Sequence, residues 1–149
     1  MVNKTSDWLL QVNVDKLIAV ESDRLYETTI QLAETAARAL KKAQINGLQN
    51  VCYSTKRLSD IYNFIKKQTG KSEKGKDWRK NDFGKRLLTD LESLAERARS
   101  LVEQLALTDA KAKREWERRV HLILCREYVK HLAAHYFFKL NEPSGAGAS

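Results

Sequence analysis

Nine basic residues fall between Lys66 and Arg86 (Lys66, Lys67, Lys71, Lys74, Lys76, Arg79, Lys80, Lys85 and Arg86), against three acids, Glu73, Asp77 and Asp82. Trp78 stands inside that run, with Tyr62, Phe64 and Phe83 around it. Lysine and arginine neutralise phosphates and release their counterions, and an exposed indole offers a face on which a base stacks. Basic residues interleaved with aromatics suit single strands or irregular RNA better than a duplex groove. The bland alternative is a solvated lysine-rich loop in which Trp78 and Phe83 fold back as anchors. A second basic set lies toward the C-terminus. On a helix Arg119, Arg126 and Lys130 fall within about 40° of one another, and Lys111, Lys113, Arg114 and Arg118 precede them. Helical pairing with Glu115, Glu117 and Glu127 would use up several of these charges.

In Arg126-Glu127-Tyr128-Val129-Lys130-His131 four residues separate an arginine from a histidine. This spacing resembles the R-x4-H signature of HEPN-type ribonucleases, which are small helical bundles. The resemblance implies that Arg126 stabilises phosphate charge and His131 transfers a proton. The residue after the arginine is Glu127, where that family has a small polar one, and on a straight helix the two side chains lie about 140° apart. His121 with Cys125, and His131 with His135, are i,i+4 pairs of metal-ligating types. A zinc site needs at least a third protein ligand, and the two pairs are roughly 15 Å apart along a helix, so buried histidines packed beside Tyr136 and Phe138 are expected and no metal site. No Gly-rich phosphate loop, Cys-x-x-Cys, nucleophile elbow or closely spaced carboxylate pair embedded in an apolar run is present, and no cofactor is implied.

These residues sit in a chain of 149 with one proline, six glycines and a net charge of +8. That length supports one domain with a real core. The charge is uneven: residues 1–40 carry six acids against four bases, so the positive charge lies beyond them. Cys52 and Cys125 fall inside apolar helical patterns, which speaks for a reducing cytoplasm over a secreted disulfide scaffold. Met1 to Asp7 lacks the apolar run of a targeting segment.

Sparse punctuation predicts long helices. The first segment, with Trp8, Leu9, Leu10, Val12, Val14, Leu17, Ile18 and Val20, reads as a helix from Ser6 or Asp7, with residues 1–21 either on the bundle or a separate N-terminal arm. Ser22 or Asp23 caps a second helix that ends at Gly47. Leu48 to Gln68 reads as one amphipathic helix. A mobile basic connector covers about 69–81, beginning with the apolar-free stretch Thr69 to Lys76. Asn81 or Asp82 caps a helix to about Leu107, and Thr108 or Asp109 caps the last one, to about Asn141, before a disordered tail at 142–149. From Val120 onward that last helix is apolar nearly all round, so it is either central or touches a partner. Arg126, Glu127, Lys130, His131, His135 and Lys139 interrupt it too often for a membrane span. The expected fold is all-α, a single bundle of four or five helices over 1–141.

A short, basic, all-helical chain of this kind resembles the small subunits of CRISPR effector complexes, over about Leu48 to Leu140. The resemblance implies a non-catalytic subunit that holds RNA or single-stranded DNA in a ribonucleoprotein of antiviral defence. It places phosphates at Lys66, Lys67, Arg79, Lys80, Arg86, Arg119, Arg126 and Lys130, and contacts with other subunits, or with copies of itself, at Tyr136, Phe137 and Phe138. The HEPN-like ribonuclease is one alternative. A structural adaptor that docks a protein partner through its last helix is another.

Overall fold

The computed structural model describes residues 4–141; the 142–149 tail lies outside them. The described residues form six α-helices and one short 3-10 helix, with no strand among them: α1 (Lys4–Thr28), α2 (Ile30–Ala39), α3 (Lys42–Ser54), α4 (Leu58–Lys71), the 3-10 helix Asp77–Asp82, α5 (Phe83–Glu103) and α6 (Ala110–Asn141). The all-α bundle is as expected, with more helices than four or five. Helix α6 is its axis, packed on α5, α2, α1 and α3. Its all-round apolar character follows from that place: Val120, Leu124, Val129, Leu132, Ala133 and Tyr136 are buried against different neighbours. No helix among the described residues is long and apolar enough to cross a membrane.

Several helix boundaries differ from the expected ones. Helix α1 runs through Ser22, whose hydroxyl donates across the bundle to Glu127 Oε1 at 2.6 Å instead of capping a helix. From Lys4 onward this segment is therefore part of the bundle and not a separate arm; Val14 and Ile18 are buried in the core, and Glu21 accepts two bonds from Arg97 of α5 at 3.0 and 2.8 Å. The actual irregularity falls at Thr29, where the Thr28 and Thr29 hydroxyls bond back to the carbonyls of Leu25 and Tyr26, a habit that weakens and bends helices. Gly47 lies inside α3 rather than at a helix end. A Cβ there would stand 3.3 Å from the Phe64 ring, so the glycine serves the close approach of α4.

The helix expected over Leu48–Gln68 is split at Thr55–Arg57. The breaks that end α2 and α3 are both held by side chains of α6. The Tyr136 hydroxyl donates to Leu40 O (2.8 Å) where α2 ends in extended backbone. Arg126 donates to Cys52 O (2.8 Å) and Thr55 O where α3 ends. Buried carbonyls freed by a helix end need partners, and the central helix supplies them.

The 69–81 connector is largely ordered. Helix α4 continues to Lys71, and the 3-10 helix carries Trp78 down into the core at 1% exposure. Its ring packs edge-on to Phe64 and tilted against Phe83. Gly84 makes this descent possible, because a Cβ at that position would lie 2.0 Å from Thr69 Oγ1 and 3.1 Å from Trp78 O. Asp77, Asn81 and Asp82 take positive φ, a conformation that Asn and Asp tolerate better than other side chains.

Candidate nucleic-acid interface

The expected stacking face of Trp78 does not exist. The indole is an anchor under the connector, and burial of its apolar area at the junction of α4 and α5 outweighs any gain from exposure. What remains at the surface is charge. Lys66, Lys67 and Lys71 are exposed on α4, and Lys74 and Lys76 beyond it, with Lys76 paired to Glu73 at 3.1 Å. Arg79 reaches back to Ser72 O, and Lys80, half-buried, donates to Arg38 O at 3.2 Å. Arg86 spends its guanidinium on Thr35 Oγ1 and Asn81 O. Lys85 and Arg86 line a shallow groove with Asp82 and Asp90. Two carboxylates there balance the two cations, which leaves little attraction for a phosphate chain.

The basic edge proposed for α6 is also broken. Arg126 points inward as the cap of α3. Lys130 is exposed and paired with Glu127 at 3.0 Å. Arg119 is exposed and lies over the Trp116 ring, 4.3 Å from its centroid. Arg126 and His131 are engaged with different neighbours: the arginine bonds α3, while His131 Nε2 meets Ser22 Oγ of α1 at 2.8 Å. Since the Ser22 proton goes to the Glu127 carboxylate, that ring nitrogen is the donor to Ser22. Burial, then Lys130, hold the His131 pKa below the ordinary imidazole value, against the opposing pull of Glu127. Burial raises the Glu127 pKa, but the Ser22 hydroxyl and Lys130 bring it below the ordinary carboxylate range. The other two histidines are engaged as well. His121 Nε2 bonds Leu91 O (2.8 Å) and His135 Nε2 bonds Tyr26 O (2.7 Å). No group of three or more metal-ligating side chains converges among the described residues.

Of the three residues expected to meet a protein partner, Tyr136 is buried, its hydroxyl spent on Leu40 O. Phe137 is half-buried against Tyr136, and Phe138 alone is open, at 72%.

The tertiary structure assembles a basic groove that the sequence pattern concealed. Lys56 and Arg57, in the turn between α3 and α4, face Arg118 and Arg119 of α6 across a groove of about 640 Å³. Glu115 is the single carboxylate in its wall, and Ser59 contributes a hydroxyl-bearing side chain. Arg57 also lies 3.6 Å from Asp60, both groups being open to solvent, a pairing of little energetic weight. The turn is built by Thr55, whose hydroxyl accepts from Arg57 N (3.0 Å) and donates to Asp60 Oδ2 (2.5 Å). The groove opens onto the outer face of α4, where Ser59, Asn63, Lys66, Lys67 and Gly70 are all exposed. From Ser59 to Gly70 this track runs for roughly 16 Å. The periodicity of 48–68 hides Lys56 and Arg57 inside one apparent helix; the local signal of the turn is Thr55 followed five residues later by Asp60.

The acidic end of the molecule is kept apart. Helix α1 packs mainly on α6, α5 and α2, and α4 mainly on α5, α3 and the 3-10 helix, so α5 is their one shared principal neighbour. Compared with known protein families, curated proteins and solved structures, the chain finds no match.

Proposed function

We propose that this protein is a non-catalytic nucleic-acid-binding module that holds RNA or single-stranded DNA by its phosphates. The observation that carries the reading is the convergence of Lys56, Arg57, Arg118 and Arg119 on one groove with a single carboxylate, continued by Lys66 and Lys67 along α4. A groove of one sign focuses field and concentrates counter-charge. No tryptophan, tyrosine or phenylalanine lines it, and its one ring, His121, is buried and bonded to Leu91 O, so binding rests on the backbone and is indifferent to sequence. The proposed setting is a cytoplasmic ribonucleoprotein such as the CRISPR effector complexes whose small subunits the chain resembles. The two cysteines are free and buried, in keeping with a reducing compartment. The ribonuclease reading has no comparable support, since Arg126 and His131 are both occupied in holding helices together.

Fluorescence anisotropy with labelled single-stranded RNA and DNA of unrelated sequences tests the proposal. Binding of all of them, weakening steeply between 50 and 200 mM salt, is expected. Failure to bind at 50 mM, or affinity that ignores salt, would overturn it.

A further inference from the structure

Helix α1 is apolar on two opposite faces. One carries Val14, Ile18 and Leu25 into the core. On the other, Trp8, Leu9, Val12, Ala19, Val20 and Tyr26 fall within a sector of about 120°, continued by Ile30 at the start of α2. Trp8 and Val20 are 65% and 62% exposed. From Trp8 to Ile30 the stripe is about 33 Å long. Among the described residues the large exposed apolar side chains lie on α1, on α2 and at the C-terminal end of α6, with Tyr53 of α3 the exception. An apolar strip of this length, rimmed by charge, marks an interaction surface.

One end of the strip is a formed groove of about 470 Å³ between the α1–α2 junction and the last turns of α6, walled by Tyr26, Ile30, Ala33, Ala134 and Phe138. Tyr26 is fixed there. Its ring meets His131 and His135 edge-on, and its carbonyl accepts from His135. The rim carries more acid than base: Asp23 and Glu27 lie in the sector, Asp15 borders it and Glu34 stands in the groove wall, against Lys16 in the sector and Lys139 in the groove wall. In a protein of net charge +8, this is a local reversal of sign.

From this placement we infer that the outer face of α1, with Phe138, docks a basic amphipathic helix of a protein partner. An apolar side chain of that helix fills the Tyr26–Ile30–Phe138 groove, and its flanking lysines or arginines face Asp23, Glu27 and Glu34. Charge complementarity selects this occupant over the others. A second copy of the chain offers its positive charge on α4 and the basic groove, where no large apolar side chain is exposed, so it has charge without the matching apolar ridge. An anionic lipid surface is repelled by the rim, since helices that lie on membranes carry lysine and arginine on their polar face.

The test is titration of the whole protein with a synthetic helical peptide of leucines flanked by lysines, and with its glutamate counterpart of identical apolar pattern. The lysine peptide is expected to bind at least tenfold tighter. Phe138→Ser, at an exposed position that leaves the fold intact by circular dichroism, is expected to weaken it roughly tenfold, and Glu27→Lys with Glu34→Lys to remove the preference between the peptides. Equal affinity for both peptides, no binding, or binding unchanged by Phe138→Ser would overturn the inference. So would self-association in light scattering that Phe138→Ser abolishes, which would make a second copy the occupant. None of these outcomes depends on nucleic-acid binding.

Discussion

Removing Lys56 and Arg118 together cuts the basic groove from both walls, and the effect on binding follows from the number of phosphates engaged. Six cations line the groove and the α4 track: Lys56, Arg57, Arg118, Arg119, Lys66 and Lys67. For single strands each neutralised phosphate contributes about −0.7 to the slope of log affinity against log salt. Six contacts give a slope of about −4, which is a loss of roughly 300-fold between 50 and 200 mM. Lys56→Ala with Arg118→Ala leaves four, a slope of about −2.8 and a loss of roughly 50-fold over the same range. At 100 mM the double variant binds about 25-fold more weakly. Arg119 is left in place because it also packs on Trp116, and its removal would mix lost packing with lost charge. Anisotropy titrations at four salt concentrations measure the slope, with thermal melts confirming the fold. The control is Lys16→Ala with Lys42→Ala, which removes the same charge from α1 and the far end of α3. A slope unchanged in the groove variant, or reduced equally in the control, would refute the reasoning and return the +8 to a role in solubility alone.

Arg126→Ala should lower stability by about 2 kcal/mol, since two buried carbonyls lose a charged donor, while leaving the salt slope of RNA binding untouched; a lower melting temperature with an unchanged slope separates its capping role from phosphate binding. Gly84→Ala should destabilise by about 1–3 kcal/mol through overpacking against Thr69 and the Trp78 backbone, and Thr69→Ala in the same chain should recover part of the loss in denaturant melts. The His131 pKa lies below its unfolded value near 6.5, so the unfolded chain takes up the proton first. Stability should then fall as pH drops from 6.5 to the folded-state pKa and show no further loss from this group below it. Melting temperatures across pH 7.5 to 5 measure the fall, and His131→Gln should make it shallower.

Class and cohesion were legible in the chain. Helical periodicity with almost no proline marked an all-α bundle, and the excess of apolar residues in 120–140 marked a helix that is either central or touches a partner. The caps that failed were the ones that depended on a choice among equals. Ser22 and Asp23 make a good N-cap by type, but a hydroxyl that can reach Glu127 and His131 on α6 serves the core instead. Gly47 is a good helix end by type, yet it is a passage for Phe64. Trp78 among lysines reads as a stacking platform until Gly84 and Thr69 are seen to leave room for it beneath the connector.

The basic residues followed the same rule. Their number, and the excess of acid over base in the first 40 residues, were determined by the sequence alone, because charge and composition are sums that no fold alters. Which of them meet solvent was decided only by the tertiary structure. Arg126 was drawn inward because α3 stops at a place where its carbonyls are buried, and that stop also turned Lys56 and Arg57 outward to face Arg118 and Arg119. The breaks after Leu40 and Ser54 lack a strong local signal, since their partners, Tyr136 and Arg126, lie 96 and at least 71 residues away in the chain. A backbone group needs a hydrogen bond whatever its sequence neighbours are, and only packing α6 through the middle of the bundle determined who supplied it.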